Sequence, residues 1–480
     1  MVISRLQKGQ RSLLAFIAAA ALLGTAVEPV HAAGQRAGTG DEVGRHLRET
    51  MDRLHFEQVL DLAPPTSAPA ARTQSAVDKE ARTPQQRARA YAAAADPQPI
   101  SQQPQLDATV IELDEHGRPL SSGTVLMSPQ YQHGKIVPVD RNFHTSDVRW
   151  RQWDDAGWYA NHAQGTIDIV PGRENASLDF MSPYPASVLK LMVNFGVLRL
   201  VDQGQITLDD TYSYQPTTIS SLCGGPTSNT IRDYVDASIT WSSNSASCAL
   251  VKLLHDHGAV TGLNQTFQQL GLETLQLKET NPANGGHWAN PVTMTSLDTA
   301  KLLMLINGAP GRVWTGPGGV PVTADAALSR SSREFFRNEL ANQGLNEVLS
   351  TTNWCGAGYP APGIPQVTPS RWIGADGTVT VEGAAYGHDV RPCNRAAEVT
   401  FAHKTGLVSN SGADAGIVRS LPGKAGRSYI IVVFSNLGDQ YPDPSRPPTV
   451  PGGQPVSYTE KYAELGLAID RYQKWRARSG

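Results

Sequence analysis

Apolar residues recur at helical spacing across residues 41–62, where Leu47, Met51, Leu54 and Val59 fall near one stripe and predict one amphipathic helix. Residues 63–107 are rich in Ala, Pro, Gln and Arg and hold little that could form a core, which predicts a flexible tether. The pattern then changes to short alternating runs. "ATVIEL" and "GTVLM" read as strands separated by the turn signal "DEHGRP", and "GTIDIV" reads as another strand. From Ser182 to about Asn307 the periodicity is mainly helical. "ASVLKLMVNFGVLRLVDQG" is apolar nearly all round, as a helix at the centre of a domain would be, with Gly204 placed to end it. "IRDYVDASITWSSNSASCALVKLLHDHG" reads as two helices joined at "TWSSNS". "TSLDTAKLLMLING" reads as a further helix, capped by Thr295 or Ser296 and stopped by Gly308.

Residues 309–395 are dense in Gly and Pro and read as a loop-rich insertion with a hairpin at "GTVTVEG". Strands return in "EVTFAHKTGLV", "DAGIVRSL" and "SYIIVVFSN", and "YTEKYAELGLAIDRYQKW" makes a closing amphipathic helix. Strands, then helices, then strands and a last helix predict an α+β fold: an antiparallel sheet with helices grouped beside it.

Composition narrows the setting. A formal net charge of −3 over 480 residues gives no electrostatic footprint for nucleic acid. At the N-terminus Arg5, Lys8 and Arg11 precede the apolar run "LLAFIAAAALLGTAV", and "VHA" places small residues before a cut after Ala32. This is the layout of a signal peptide over 1–32 and predicts a secreted or periplasmic protein. No other segment is long and apolar enough to span a membrane. The N-terminal helix and tether then occupy 33–107 and the main domain 108–480. The four cysteines, Cys223, Cys248, Cys355 and Cys393, are an even number in an oxidising compartment. Four cysteines allow three pairings. Cys223 with Cys248 and Cys355 with Cys393 is the reading adopted, because each pair flanks one loop region. No metal site or organic cofactor is indicated: His255 and His257 lie two apart at a helix end and point to different faces.

Three short motifs carry candidate chemistry. In "SPYPASVLKL", Ser187 and Lys190 are three apart and share a helix face, with the serine near unpaired N–H groups at the helix start. A serine becomes nucleophilic when a base takes its proton, and a buried lysine beside a second cation is a neutral base. In "TWSSNSA", Ser242 is placed to relay a proton and Asn244 to bind Lys190 and a substrate amide. In "FAHKTGLV", Lys404 supplies the second cation, Lys404 and Thr405 suit a substrate carboxylate, and Gly406 permits close approach. The N–H groups of Leu407 and Ser187 suit a developing oxyanion.

The order S-x-x-K, S-x-N, K-T-G, on a helix, an inter-helix loop and a strand, resembles the penicillin-recognising serine hydrolases, closest to the class A β-lactamases. The resemblance covers roughly residues 150–476 and includes "PASVLKL", "ITWSSNSASCALVKLL", "NPVTMTSLDTAKLL", "HKTG" and "DAGIV". It implies an α/β-α sandwich of β-lactamase/transpeptidase type, with a five-stranded antiparallel sheet, flanking helices and an all-helical part. It implies that Ser187 is acylated by a β-lactam and that water releases the product. It also places a deacylating carboxylate at Glu279. The sequence departs from the family there: "ETNPAN" stands for E-x-x-L-N, Leu277 holds the usual arginine position, and Asn284 lies one residue late. Ser243 replaces the usual aspartate. Two alternatives stay open: a D-alanyl-D-alanine carboxypeptidase or endopeptidase, and a catalytically weakened cell-wall binding protein.

Overall fold

The run "SYIIVVFS" is buried along its length because both faces of its sheet are covered. The computed structural model describes residues 39–61, 98–99, 103–161, 163–357, 359, 361–438 and 459–479. The leader expected at 1–32 lies outside the described residues, as does most of the tether expected at 63–107, but Leu106 and Asp107 at its end already pair in the central sheet. Helix α1 is Thr39–Arg53. Strands β1 (Leu106–Leu113), β2 (Pro119–Ser128) and β3 (Tyr131–Ile136) follow. Late in the chain come β4 (Val399–Val408), β5 (Ser411–Ser420) and β6 (Ser428–Ser435). Together they form one antiparallel sheet in the order β4-β5-β6-β1-β2-β3. The sheet therefore has six strands among the described residues, not the expected five. The sixth is "YQHGKI", an edge strand whose polar, half-exposed residues give no buried alternation to read.

Period-two alternation divides the core. Ile430, Val432 and Phe434 face the helical part, where they join the buried residues of helices Lys190–Asp202 and Ser296–Asn307. Tyr429, Ile431 and Val433 face the other side, with Val43, Leu47 and Met51 of α1 and Tyr462, Leu465 and Ile469 of the closing helix Thr459–Ser479. Helix α1 is thus packed on the sheet. It ends at Arg53 rather than near residue 62, because His55 takes a left-handed backbone (φ 51°) and breaks the hydrogen-bond ladder. Phe56 and Val59 are still buried, but in a 3₁₀ turn and the extended residue after it.

Two other readings change. "GTIDIV" is no strand: its only ladder contact is one bridge from Asp168 to Arg151, and Ile167 is exposed. Asp168 instead accepts ion pairs from Arg149 at 2.8 Å and Arg151 at 3.1 Å. The insertion is more ordered than its composition suggests. It contains a helix, Arg330–Ala341, started by Ser329 accepting from the N–H of Ser332. It also contains a hairpin of Thr378–Val381 with Ala384–Asp389, and a small core of its own built on Trp354, Trp372, Val379 and Tyr386. Disulfides join Cys223 to Cys248 and Cys355 to Cys393. No helix among the described residues is long and apolar enough to cross a membrane.

Candidate active site

The strand Leu178–Met181 delivers the chain into "SPYPAS", where two prolines rule out an early helix. Ala186 then adopts φ 46°, and a 3₁₀ turn, Ala186–Leu189, runs into the helix Lys190–Asp202. Ser187 therefore lies in that tight turn and is half-buried, while Lys190 opens the α-helix proper and is fully buried. The N–H of Val188 is held by the carbonyl of Pro185 at 3.2 Å.

The second motif closes over this lysine. One helix ends at Thr240 and the next begins at Asn244, so three residues must reverse the chain. Ser242 does so with φ 65°, and Ser243 caps the second helix by accepting from the N–H of Ala246 at 3.1 Å. Ser243 thus serves as an N-cap, a task that serine and aspartate both perform. The reversal turns three oxygens onto Lys190 Nζ: the Ser242 carbonyl at 2.6 Å, Ser242 Oγ at 2.9 Å and Asn244 Oδ1 at 2.8 Å. Lys404, buried on β4, donates to the same Ser242 Oγ at 3.0 Å and to the Thr405 carbonyl at 2.9 Å. Lys190, Ser242, Asn244 and Lys404, far apart in sequence, are one hydrogen-bonded cluster.

Burial and the neighbouring Lys404 charge together hold the Lys190 amine well below its usual range. Burial brings Lys404 down to about 7, against the opposing pull of Asp414. The Ser242 hydroxyl oxygen thus accepts from both amines, Lys190 Nζ and Lys404 Nζ. Acylation is then expected to follow a bell in pH, rising as Lys190 loses its proton and falling as Lys404 loses its own near 7. Lys404→Met should lower the rate, remove the alkaline limb and move the acid limb upward, because the neighbouring charge that depresses Lys190 is gone. The pH dependence of the penicillin acylation rate checks this.

The third motif fixes the strand against the turn that holds Ser187. A Cβ on Gly406 would lie 2.7 Å from the Pro185 carbonyl oxygen and 3.1 Å from the N atoms of Ser187 and Val188. Backbone cannot yield as a flexible side chain would. Gly406→Ala is expected to push β4 off the turn and slow acylation by about 10²-fold, the effect of roughly an ångström of misplacement, measured as the rate of penicillin adduct formation. Thr405 is buried beside Lys404, and Leu407 is half-buried and packs on the α1 side of the sheet. On the reverse face His403 binds Asp414 at 2.8 Å and Asn346 at 2.9 Å, with all three side chains buried. This network steadies the strand that carries Lys404.

Glu279 is not drawn into the cluster. It is exposed, at φ 58°, and its carbonyl accepts from His287 Nδ1 at 2.8 Å. Asn284 braces its own loop, donating to the Thr218 carbonyl at 3.0 Å and accepting from the N–H of Gly286 at 2.9 Å. The loop side chain that does reach Lys190 is one the sequence reading missed. The ring of Trp288 lies 5.7 Å from Lys190 Nζ. Its position in a Gly- and Asn-rich loop gives no periodicity from which to infer this.

This geometry can be set beside known proteins. Residues 174–351 match the beta-lactamase enzyme family. The matched segment carries Ser187, Lys190, Ser242, Asn244 and Glu279, while Lys404, Thr405 and Gly406 lie beyond it. It supports the resemblance to β-lactamase-related serine hydrolases read from the motifs. Solved structures to which the chain is similar include PBP-A, at 16% identity over 79% of this chain and 93% of that one, with a TM-score of 0.39. A β-lactamase from Sphaerobacter thermophilus DSM 20745 is 14% identical over 78% of this chain and 92% of its own, with a TM-score of 0.39. TLA-3 extended-spectrum β-lactamase is 15% identical over 78% and 94%, also at 0.39. No curated protein matches the sequence.

Proposed function

We propose that the chain is an exported serine hydrolase of β-lactamase type that opens a β-lactam amide through an acyl ester on Ser187. The observation that carries the reading is the convergence of two buried lysine amines, Lys190 and Lys404, on the single hydroxyl of Ser242. Neutral Lys190 takes the proton of Ser187 as Oγ bonds to the lactam carbonyl carbon. The C–N bond then breaks, and the proton passes from Lys190 through Ser242 to the leaving nitrogen. Lys404 and Thr405 meet the substrate carboxylate, Asn244 its amide, and the N–H groups of Ser187 and Leu407 the oxyanion. No step calls on a metal or an organic cofactor. The two disulfides suit an oxidising compartment.

A second reading, a D-alanyl-D-alanine carboxypeptidase or endopeptidase acting on cell-wall peptides, uses the same acylation. It is favoured by the exposure of Glu279, which leaves the water step without an evident base. Intact-protein mass spectrometry after mixing the chain with benzylpenicillin tests both. The expected result is a mass gain of one penicillin, located by peptide mapping on Ser187. Absence of an adduct, together with no turnover of benzylpenicillin or of a D-Ala-D-Ala peptide, sinks the proposal and leaves the weakened binding protein.

A further inference from the structure

The polar contacts of Lys190 Nζ are to Ser242 and Asn244. An aromatic ring, that of Trp288, also comes within 5.7 Å of its Nζ. We propose that Trp288 sets the lifetime of the acyl-serine ester, favouring its formation and denying water the place from which to hydrolyse it. The inference rests on the reading of Ser187 as the acylated nucleophile.

Ester hydrolysis needs a water molecule and a group within hydrogen-bond reach to take its proton. Water oxygen attacks the ester carbonyl carbon, the C–Oγ bond breaks, and the water proton ends on Ser187. An indole accepts no proton, and its single donor is N–H. In Trp288 that N–H is spent on the carbonyl of Gly285 at 2.9 Å, so the ring offers an approaching water no polar partner. During acylation the same ring helps, because the ammonium that Lys190 becomes lies within cation–π range of it.

The loop holds the ring in place. The Tyr184 hydroxyl donates to the Trp288 carbonyl at 3.2 Å, and the N–H of Thr217 donates to the Ala283 carbonyl at 2.9 Å. Gly285 is pressed against the backbone of Cys248, and Gly286 against the sulfur of Cys223, so the loop is fitted to the disulfide beneath it. No carboxylate among the described residues hydrogen-bonds to Lys190 or Ser242.

The experiment follows the benzylpenicillin adduct by intact mass in the full chain, scoring formation and decay separately. The parent adduct is expected to persist for many minutes. Trp288→Ala is expected to form it more slowly and to lose it at least ~10-fold faster, a change on the scale of one ordinary interaction. Trp288→Phe, which restores a ring face, should restore the long lifetime. Trp288→Gln fills the same space while offering water a partner, and it should shorten the lifetime even if the alanine variant does not fold. Equal decay in the parent and the folded variants overturns the inference, as does a parent adduct that vanishes within seconds. Either outcome leaves acylation of Ser187 standing. A parent that never forms an adduct or turns penicillin over instead overturns the underlying reading.

Discussion

Ser187→Ala is expected to remove the penicillin adduct and to lower the acylation rate on the order of a millionfold, the scale seen when an enzyme loses its nucleophile. Ser187 stands in a 3₁₀ turn immediately before the buried amine of Lys190, with the glycine of the K-T-G strand against its N–H. No other serine in the cluster can substitute. Ser242 is committed to both lysines, and Ser243 to the cap of its helix. The fold should hardly notice the loss, because a half-buried hydroxyl without a structural role changes stability by about 0.5 kcal/mol or less. A thermal midpoint close to the parent's, with no mass shift after penicillin, is the expected pair of results. An alanine variant that still gains the penicillin mass at the parent rate would place the nucleophile elsewhere.

Lys190→Met is expected to slow acylation by about 10³- to 10⁴-fold, the upper range for loss of a general base. Methionine nearly matches lysine in length and suits a site in the apolar core, so the variant separates chemistry from packing. It leaves the Ser242 carbonyl and Asn244 Oδ1 without their donor, which sets a penalty of about 1–3 kcal/mol on the fold. The diagnostic sign is in the pH profile. With Lys190 gone, the acid limb should disappear while any residual rate still falls as Lys404 deprotonates near 7. Single-turnover acylation with a chromogenic cephalosporin reads both.

The hydrogen-bonded cluster was legible because local rules place most of its members. A lysine at the start of an apolar helix marks Lys190, a short reversal between two helices turns Ser242 and Asn244 inward, and a glycine on a strand marks where backbone meets backbone. The part that escaped reading depends on how a loop lies once everything else has folded. Glu279 is the acid that the resemblance assigns, at the head of "ETNPAN". Its side chain faces solvent instead, because the chain takes a left-handed step at that residue. Trp288 comes inward through contacts with Tyr184 and Gly285 that no spacing rule encodes. In the fold, the long buried strands announced themselves by alternation. The edge strand Tyr131–Ile136 and the helix Arg330–Ala341 did not. The first has solvent on one side, and the second is a mostly polar stretch in which Phe336 and Leu340 carry the burial.

Ala186 and Ser242, which flank the cleft from two different segments, both hold backbone conformations that a side chain disfavours. Such residues weaken a fold by about 1 kcal/mol or more each, and glycine relieves most of that. Selection of this chain for heat resistance alone would therefore drift toward glycine at these two places. Its survivors would be expected to outlast the parent on heating and to acylate more sluggishly, since glycine at 242 takes away the hydroxyl that both amines share.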